Sequence, residues 1–321
     1  MACSAPVIVV GVGRSGTSLL QSMLSSHSDL AFPPETSFFR RFLITGILAE
    51  ALNLGGQADA VRLLNRDRKF RRAGFLGEAL VKKAQGVGCS SRNLYLSLLE
   101  LYAQRESKSR YGDKDPRLVE YLPVVWEVFP AAHVVHMVRD PRDVLASKKK
   151  ATWSKGKGVL RHVFASRVQF KIGQHDGACR TDKEYRELIY EDLLSDPDVE
   201  LKKLCDWVGL KYEPAMLSFS GAARSLVSRE ELSWKRETLG PLLSGNWNKW
   251  KVDLSDWEVA LTEIACSQHF NGGRYMRSGR IRELTLVGKL SVYVVWLGLV
   301  ALDPIYRSYR AYTVRRARKY L

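Results

Sequence analysis

Residues 6–20 read Pro6-Val7-Ile8-Val9-Val10-Gly11-Val12-Gly13-Arg14-Ser15-Gly16-Thr17-Ser18-Leu19-Leu20. An apolar, β-branched run breaks into a glycine-rich turn, and hydroxyl residues then open an apolar helix. The unbroken run Pro6–Val10 predicts a strand buried on both faces, as in a parallel sheet. Glycines let the main chain come close to an anion. The helix that follows presents free N–H groups and the positive end of its dipole. The stretch therefore reads as a backbone cradle for a phosphate-like or sulfate-like group. The spacing Gly11-x-x-x-x-Gly16 is that of a P-loop, but a nucleoside triphosphatase needs Lys next, and this chain has Thr17. The nearest cation is Arg14, inside the turn.

Outward from this stretch, strand and helix patterns alternate. Thr17–Ser26 reads as a helix. Asp29–Pro34 leads to Glu35-Thr36, and a further helix is expected from Ser37. Residues 54–110 are helical in pattern, broken at Gly55-Gly56, Gly74 and Gly86-Val87-Gly88, and are expected to form an insertion walling a substrate cleft. Asp115-Pro116, Asp140-Pro141 and Asp196-Pro197 each suit an N-cap followed by Pro in the first helical turn. His133–Val138 and Arg186–Tyr190 read as strands, Asp198–Val208 and Trp257–Phe270 as helices. The expected fold is α/β: a P-loop-like, three-layer arrangement with a central parallel sheet flanked by helices.

The chain has 321 residues, enough for one large core with a small appendage. We divide it into a domain over 1–280 and a hydrophobic, basic helical tail over 281–321. Fifty Lys and Arg face thirty-four Asp and Glu, a net charge of +16, which points to an anionic partner. The five cysteines are scattered, with no CxxC pair, so a reducing, cytoplasmic setting is expected and a disulfide or metal framework is not. The N-terminus runs almost directly into the first strand, so no signal peptide or N-terminal anchor is expected. In Leu284–Leu302 the lone charge is Lys289. A helix of nineteen residues is about 28 Å long, close to a bilayer core. Asp303-Pro304 ends the apolar run, and a basic, aromatic tail follows. Three placements fit: a helix on or shallowly in an anionic membrane surface, a helix packed on the domain or a partner, and a true span.

A second segment, Val138-Arg139-Asp140-Pro141-Arg142-Asp143-Val144-Leu145-Ala146-Ser147, ends a strand on an arginine and starts a helix at once. Ser147 follows about two helical turns on. A forked cation and a hydroxyl suit a phosphate monoester. With these two motifs the chain resembles the sulfotransferases that use 3′-phosphoadenosine 5′-phosphosulfate, over about residues 6–250. The resemblance implies that Arg14, Ser15, Gly16, Thr17 and Ser18 line the 5′-phosphosulfate cradle and that Arg139 and Ser147 hold the 3′-phosphate. It places Tyr190, in Tyr190-Glu191-Asp192-Leu193, near the nucleotide. Gly245-Asn246-Trp247 is similar to a late Gly-x-Trp element near the 3′-phosphate, although Leu242-Leu243-Ser244 stand where basic residues usually precede it.

The middle segment Gly112-Asp113-Lys114-Asp115-Pro116 has no His. It resembles the Lys-Asp-Pro element of tyrosylprotein sulfotransferases and many bacterial relatives, as does Pro34-Glu35-Thr36. That branch implies Glu35 as general base and Lys114 as the cation at the leaving oxygen. The acceptor would be a hydroxyl on a glycan, lipid, protein tyrosine or small molecule. No metal and no specific nucleic acid are expected. Each residue also has a plainer role: Arg139 paired with Asp143, Glu35 as a helix cap, Lys114 paired with Asp113 or Asp115, Tyr190 in the core, and Lys148-Lys149-Lys150 as a solvated helix end. A P-loop kinase-like phosphotransferase is the alternative enzyme, and it should carry Lys in place of Thr17.

Overall fold

The computed structural model describes residues 5–271 and 274–321; residues 1–4, 272 and 273, within the 1–280 span, lie outside the described residues. Five parallel strands form the sheet: β1 (Val7–Gly11), β2 (Leu30–Ala31), β3 (Arg110–Lys114), β4 (His133–Val138) and β5 (Tyr185–Ile189), in the order β2-β3-β1-β4-β5. The central β1 is fully buried, as its unbroken apolar run requires. Its residues alternate between two cores. Val7 and Val9 join Leu20, Met23 and Leu24 of helix α1 (Thr17–Ser25). Ile8 and Val10 join Phe38 and Phe39 on the opposite face. Helices on both faces complete the three layers.

The segment after Ser37 starts with one wide helical turn, Phe39–Ile44, and continues as α2 (Ile47–Arg66), which is kinked at Gly56. Next come α3 (Gly77–Ala84) and α4 (Ser91–Arg105). Leu80, Leu94, Tyr95 and Leu98 from these two helices are fully buried in the core below the sheet. Much of residues 54–110 is thus core, and Arg68, Lys69 and Arg72 are its members that reach the main cavity. β3 is a strand with no apolar pattern: Arg-Tyr-Gly-Asp-Lys. Its Asp113 accepts a 2.5 Å bond from the Tyr95 hydroxyl.

Beyond β3 lie α5 (Leu122–Val128), α6 (Pro141–Lys150), α7 (Val159–Ala178), α8 (Tyr190–Ser195) and α9 (Pro197–Val208). The three Asp-Pro pairs all cap as their sequence implies. Asp115 accepts the Arg117 N–H at 3.1 Å, Asp140 the Arg142 N–H at 2.8 Å, and Asp196 the Val199 N–H at 3.4 Å. The lysine run closing α6 departs from expectation. Lys148 is buried and donates to Ser166 Oγ at 2.9 Å, because its side chain turns inward beneath α7. Lys149 and Lys150 pair with Glu258 and Asp253.

Short helices α10 (Ser220–Leu226), α11 (Leu232–Lys235) and α12 (Trp250–Asp253) lead to α13 (Asp256–Ala265) and α14 (Leu286–Arg318). α13 opens on a capping box between Ser255 and Glu258. α14 runs straight through Asp303-Pro304, which end the apolar run without ending the helix. It is long and apolar enough to cross a membrane by length and composition. Yet one face is docked on the domain. The Arg167 guanidinium grips Asp303 with two bonds of 3.2 and 2.8 Å, both side chains being buried. Farther along, Arg310 donates to the Glu120 carbonyl at 2.5 Å and pairs with Asp176. Replacing Asp303 with Ala would leave the Arg167 charge buried and unpaired. We expect a loss of about 3–5 kcal/mol in urea unfolding; an unchanged midpoint would show that this pair does not hold the helix down.

Candidate active site

β1 and β4 are neighbours, with Gly11 opposite Met137, so the turns that follow them open on the same edge of the sheet. The turn after β1 is shaped by backbone conformations that glycine tolerates best. Gly16 has φ 98°, and a Cβ there would lie 2.3 Å from the Tyr190 ring. Arg14, not a glycine, also sits at φ 80°, a conformation costly for a residue with a side chain and held here by its surroundings.

That conformation directs the Arg14 side chain across the sheet edge. Its Nε donates to Ser147 Oγ at 2.9 Å. Arg139 donates to the Arg14 carbonyl at 3.2 Å and to the Asn246 carbonyl at 3.1 Å. The Arg139 guanidinium lies 4.2 Å from the centre of the Tyr190 ring, a cation–π stack. Arg14 was expected in the 5′ cradle; its backbone belongs to the turn, but its guanidinium joins Arg139 and Ser147. Among the described residues neither Arg14 nor Arg139 has an ion pair. Burial, and then the neighbouring Arg139 charge, push the Arg14 pKa below its ordinary value. Glu237 acts on Arg14 in the opposite direction, but two adjacent guanidinium groups with no direct ion pair form a site that favours a doubly charged anion.

Asp143 makes no direct ion pair with Arg139, although the Arg139 charge acts on it. It accepts the backbone N–H groups of Asn248 at 2.7 Å and Trp250 at 3.0 Å, pinning the late loop to the start of α6. The loop thus delivers Asn246, whose side chain donates to the Tyr190 hydroxyl at 3.1 Å. Trp247 is placed elsewhere, packed against the α1 side of the core and lining a separate shallow pocket. Sequence reasoning passed over Asn246 because an amide between Gly and Trp gave no chemical signal.

Arg14, Gly16, Thr17, Ser18, Arg139, Ser147, Tyr190 and Glu35 all line one cavity of about 1020 Å³. Ser15 is buried just beneath it, and its hydroxyl has no partner; the Arg139 Nε is likewise buried and unpartnered. These orphaned polar atoms suit an anion with several oxygens, so the residues present fit a phosphorylated nucleotide.

Behind Glu35, on the cavity's other wall, the fully buried Lys114 donates to its carboxylate without itself lining the cavity. Asp113 and Asp115, the plainer partners for Lys114, are engaged by Tyr95 and by Arg40 at 3.0 Å. Lys235, 3.8 Å from Glu35, also bonds Glu231 at 2.7 Å. Arg72 pairs with Glu231 at 2.5 Å and donates to the Glu35 carbonyl at 3.4 Å. Burial raises the Glu35 pKa, but Lys114 and Lys235 more than offset this and hold it well below the carboxylate range. Burial, and then the Lys114 charge, bring Lys235 down to about 8, against the pull of Glu35 and Glu231. Lys235, Glu231 and Arg72 were missed in the sequence. The i, i+4 pair Glu231/Lys235 was the available signal, and it looks like an ordinary helix-surface pair.

Residues 6–214 match the Sulfotransferase family. A putative protein-tyrosine sulfotransferase of Caenorhabditis briggsae is 23% identical over 224 residues, 66% of this chain and 68% of that protein. The nodulation protein NoeE of Sinorhizobium fredii is 22% identical over 280 residues, 78% of this chain and 61% of that one. An uncharacterized protein of Aquifex aeolicus is 24% identical over 225 residues, but the match spans 26% of its length. Two solved structures share the fold at a TM-score of 0.54. The sulfotransferase domain of the Synechococcus PCC 7002 olefin synthase is 20% identical and covers 79% of this chain and 91% of its own. The sulfotransferase domain from the curacin biosynthetic pathway is 19% identical and covers 84% of this chain and 98% of its own. With a family match over most of its length and the family's fold, the chain belongs to the sulfotransferase family.

Proposed function

We propose that the protein transfers a sulfuryl group from 3′-phosphoadenosine 5′-phosphosulfate to an acceptor hydroxyl by in-line displacement. The observation that supports this most is Arg14 and Arg139 side by side, without a direct ion pair, beside Ser147, in the same cavity as Glu35, which Lys114 contacts from behind. Arg14, Arg139 and Ser147 would hold the 3′-phosphate. The backbone N–H groups after Gly16, with Thr17 and Ser18, would hold the 5′ end. Tyr190 backs both regions, touching Gly16 and stacking on Arg139. The donor supplies an activated sulfuryl group whose bridging oxygen departs with negative charge. Lys114, directly behind Glu35, is the cation that would stabilise that charge, and Glu35 would accept the proton of the acceptor hydroxyl. Lys235 positions the Glu35 carboxylate. The described cysteines are free thiols, which fits a cytoplasmic setting. The acceptor class is a hydroxyl-bearing glycan, lipid, protein tyrosine or small molecule, and radiolabelled sulfate transfer to fractionated extracts, with ATP as the control donor, identifies it.

The binding half is tested by calorimetry with adenosine 3′,5′-bisphosphate. Arg139→Ala should weaken binding about tenfold to a hundredfold, the value of bonds to charged groups; wild-type affinity in the variant would remove Arg139 from the site. The catalytic half is tested by Glu35→Gln, which should lower turnover about 10²-fold or more while bisphosphate affinity stays within a few-fold. Equal turnover would refute Glu35 as the base.

Lys235 gives a pH-dependent readout. Its pKa of about 8 means that its protonated fraction falls through one half near pH 8. A surface lysine, with pKa near 10.4, is still more than about 99% protonated there. Competitive acylation followed by peptide mass spectrometry should therefore label Lys235 ahead of surface lysines at pH 8, and bound bisphosphate should suppress the labelling. Labelling no faster than at Lys202 or Lys211 would overturn this assignment.

A further inference from the structure

The docked helix α14 leaves its opposite face uncovered. Leu286, Leu290, Val294, Leu297, Ile305 and Tyr312 recur at helical spacing along that face, each between 56% and 74% exposed. They form a continuous apolar stripe about 40 Å long at 1.5 Å per residue. Tyr293 and Tyr309 stand on the same side, 48% and 60% exposed. The docked face is fixed by contacts of a different kind: Asp303 with Arg167, Tyr306 with Glu120, Arg310 with Asp176 and Arg318 with Glu127. A span would have to break this whole series and place those charges in hydrocarbon.

Charge identifies what covers the stripe. Between residues 284 and 321 the one acidic residue is Asp303, and it is buried against Arg167. Lys289 and Arg307 border the stripe at the same helical angle, and Arg315 and Lys319 continue its exposed face past Tyr312. Among the described residues these four basic side chains make no ion pair. Two copies of the stripe facing each other would bring like charges together, whereas an anionic surface neutralises them. Long basic side chains beside apolar and tyrosyl ones suit the boundary between lipid headgroups and acyl chains.

We propose that α14 lies in the plane of an anionic lipid bilayer, its apolar face sunk into the headgroup boundary while its opposite face keeps the catalytic domain docked. The inference does not depend on the sulfuryl-transfer reading. It places the protein on the membrane as a monotopic enzyme, without a span.

The test uses the full chain in co-sedimentation with phosphatidylcholine vesicles, with or without phosphatidylglycerol. The wild type should bind the anionic vesicles more tightly. Leu290→Asp with Leu297→Asp should cost about a hundredfold in affinity on either vesicle. Arg315→Glu with Lys319→Glu should cost about thirtyfold on anionic vesicles and little on neutral ones. Both variants alter exposed residues, and unchanged circular dichroism verifies their folding. Glu283→Cys and Leu321→Cys, at exposed positions beyond the two ends of the helix, should both react with an impermeant maleimide added outside the vesicles, each site read by peptide mass spectrometry. Three results would overturn the proposal: no binding to either vesicle, a protected cysteine at one end, which means a span, or light scattering that finds a dimer dissociated by the Leu290/Leu297 change, which means the stripe meets a second copy.

Discussion

Two positive charges held side by side without a direct ion pair organise this molecule. Arg14 and Arg139 come from turns about 125 residues apart in sequence, and they meet because β1 and β4 are adjacent, parallel and in register. Like charges repel, so the arrangement requires a rigid frame. That frame is visible: Arg139 donates to the backbone of both the first turn and the late loop, its flat face rests on Tyr190, and Ser147 accepts from Arg14. Asp143 stands nearby, yet spends its two oxygens on the backbone of residues 248 and 250. The sheet edge therefore carries a concentration of positive charge, and the proposed 3′-phosphate site rests on it.

The opposite wall is balanced differently. Glu35 and Glu231 are interleaved with Lys114, Lys235 and Arg72, so charge there is nearly compensated. A carboxylate clamped this way is a weak base until a neighbour's attention is drawn elsewhere. In such a network the proton affinity of Glu35 is set jointly by burial, which raises it, and by Lys114 and Lys235, which lower it. The cavity thus joins a wall of concentrated positive charge to one where opposite charges alternate.

What could be read in the chain follows from where its signals are local. β1 is an unbroken apolar run, β4 is apolar apart from His133 and His136, and the Asp-Pro caps act within three residues, so these elements were legible. β3 was not: its Asp113 and Lys114 are polar because they serve partners on other elements, Tyr95 and Glu35, and no periodicity records that. For the same reason Lys148 looked like a solvated end, although a residue eighteen positions later receives its ammonium. The roles of Glu35 and Lys114 came from resemblance, and their contact is a tertiary fact. The direction of the Arg14 side chain, set by a left-handed backbone at a residue that rarely adopts one, had no sequence signal at all.

The tight approach of Tyr190 to Gly16 carries a consequence for how this fold can vary. No side chain fits at position 16 unless the aromatic ring withdraws, and the ring cannot withdraw without leaving Arg139 unsupported. Positions 16 and 190 therefore behave as a single variable. Any redesign that enlarges the first must shrink the second and find another platform for the guanidinium, which makes this pair a coupled constraint on mutational drift.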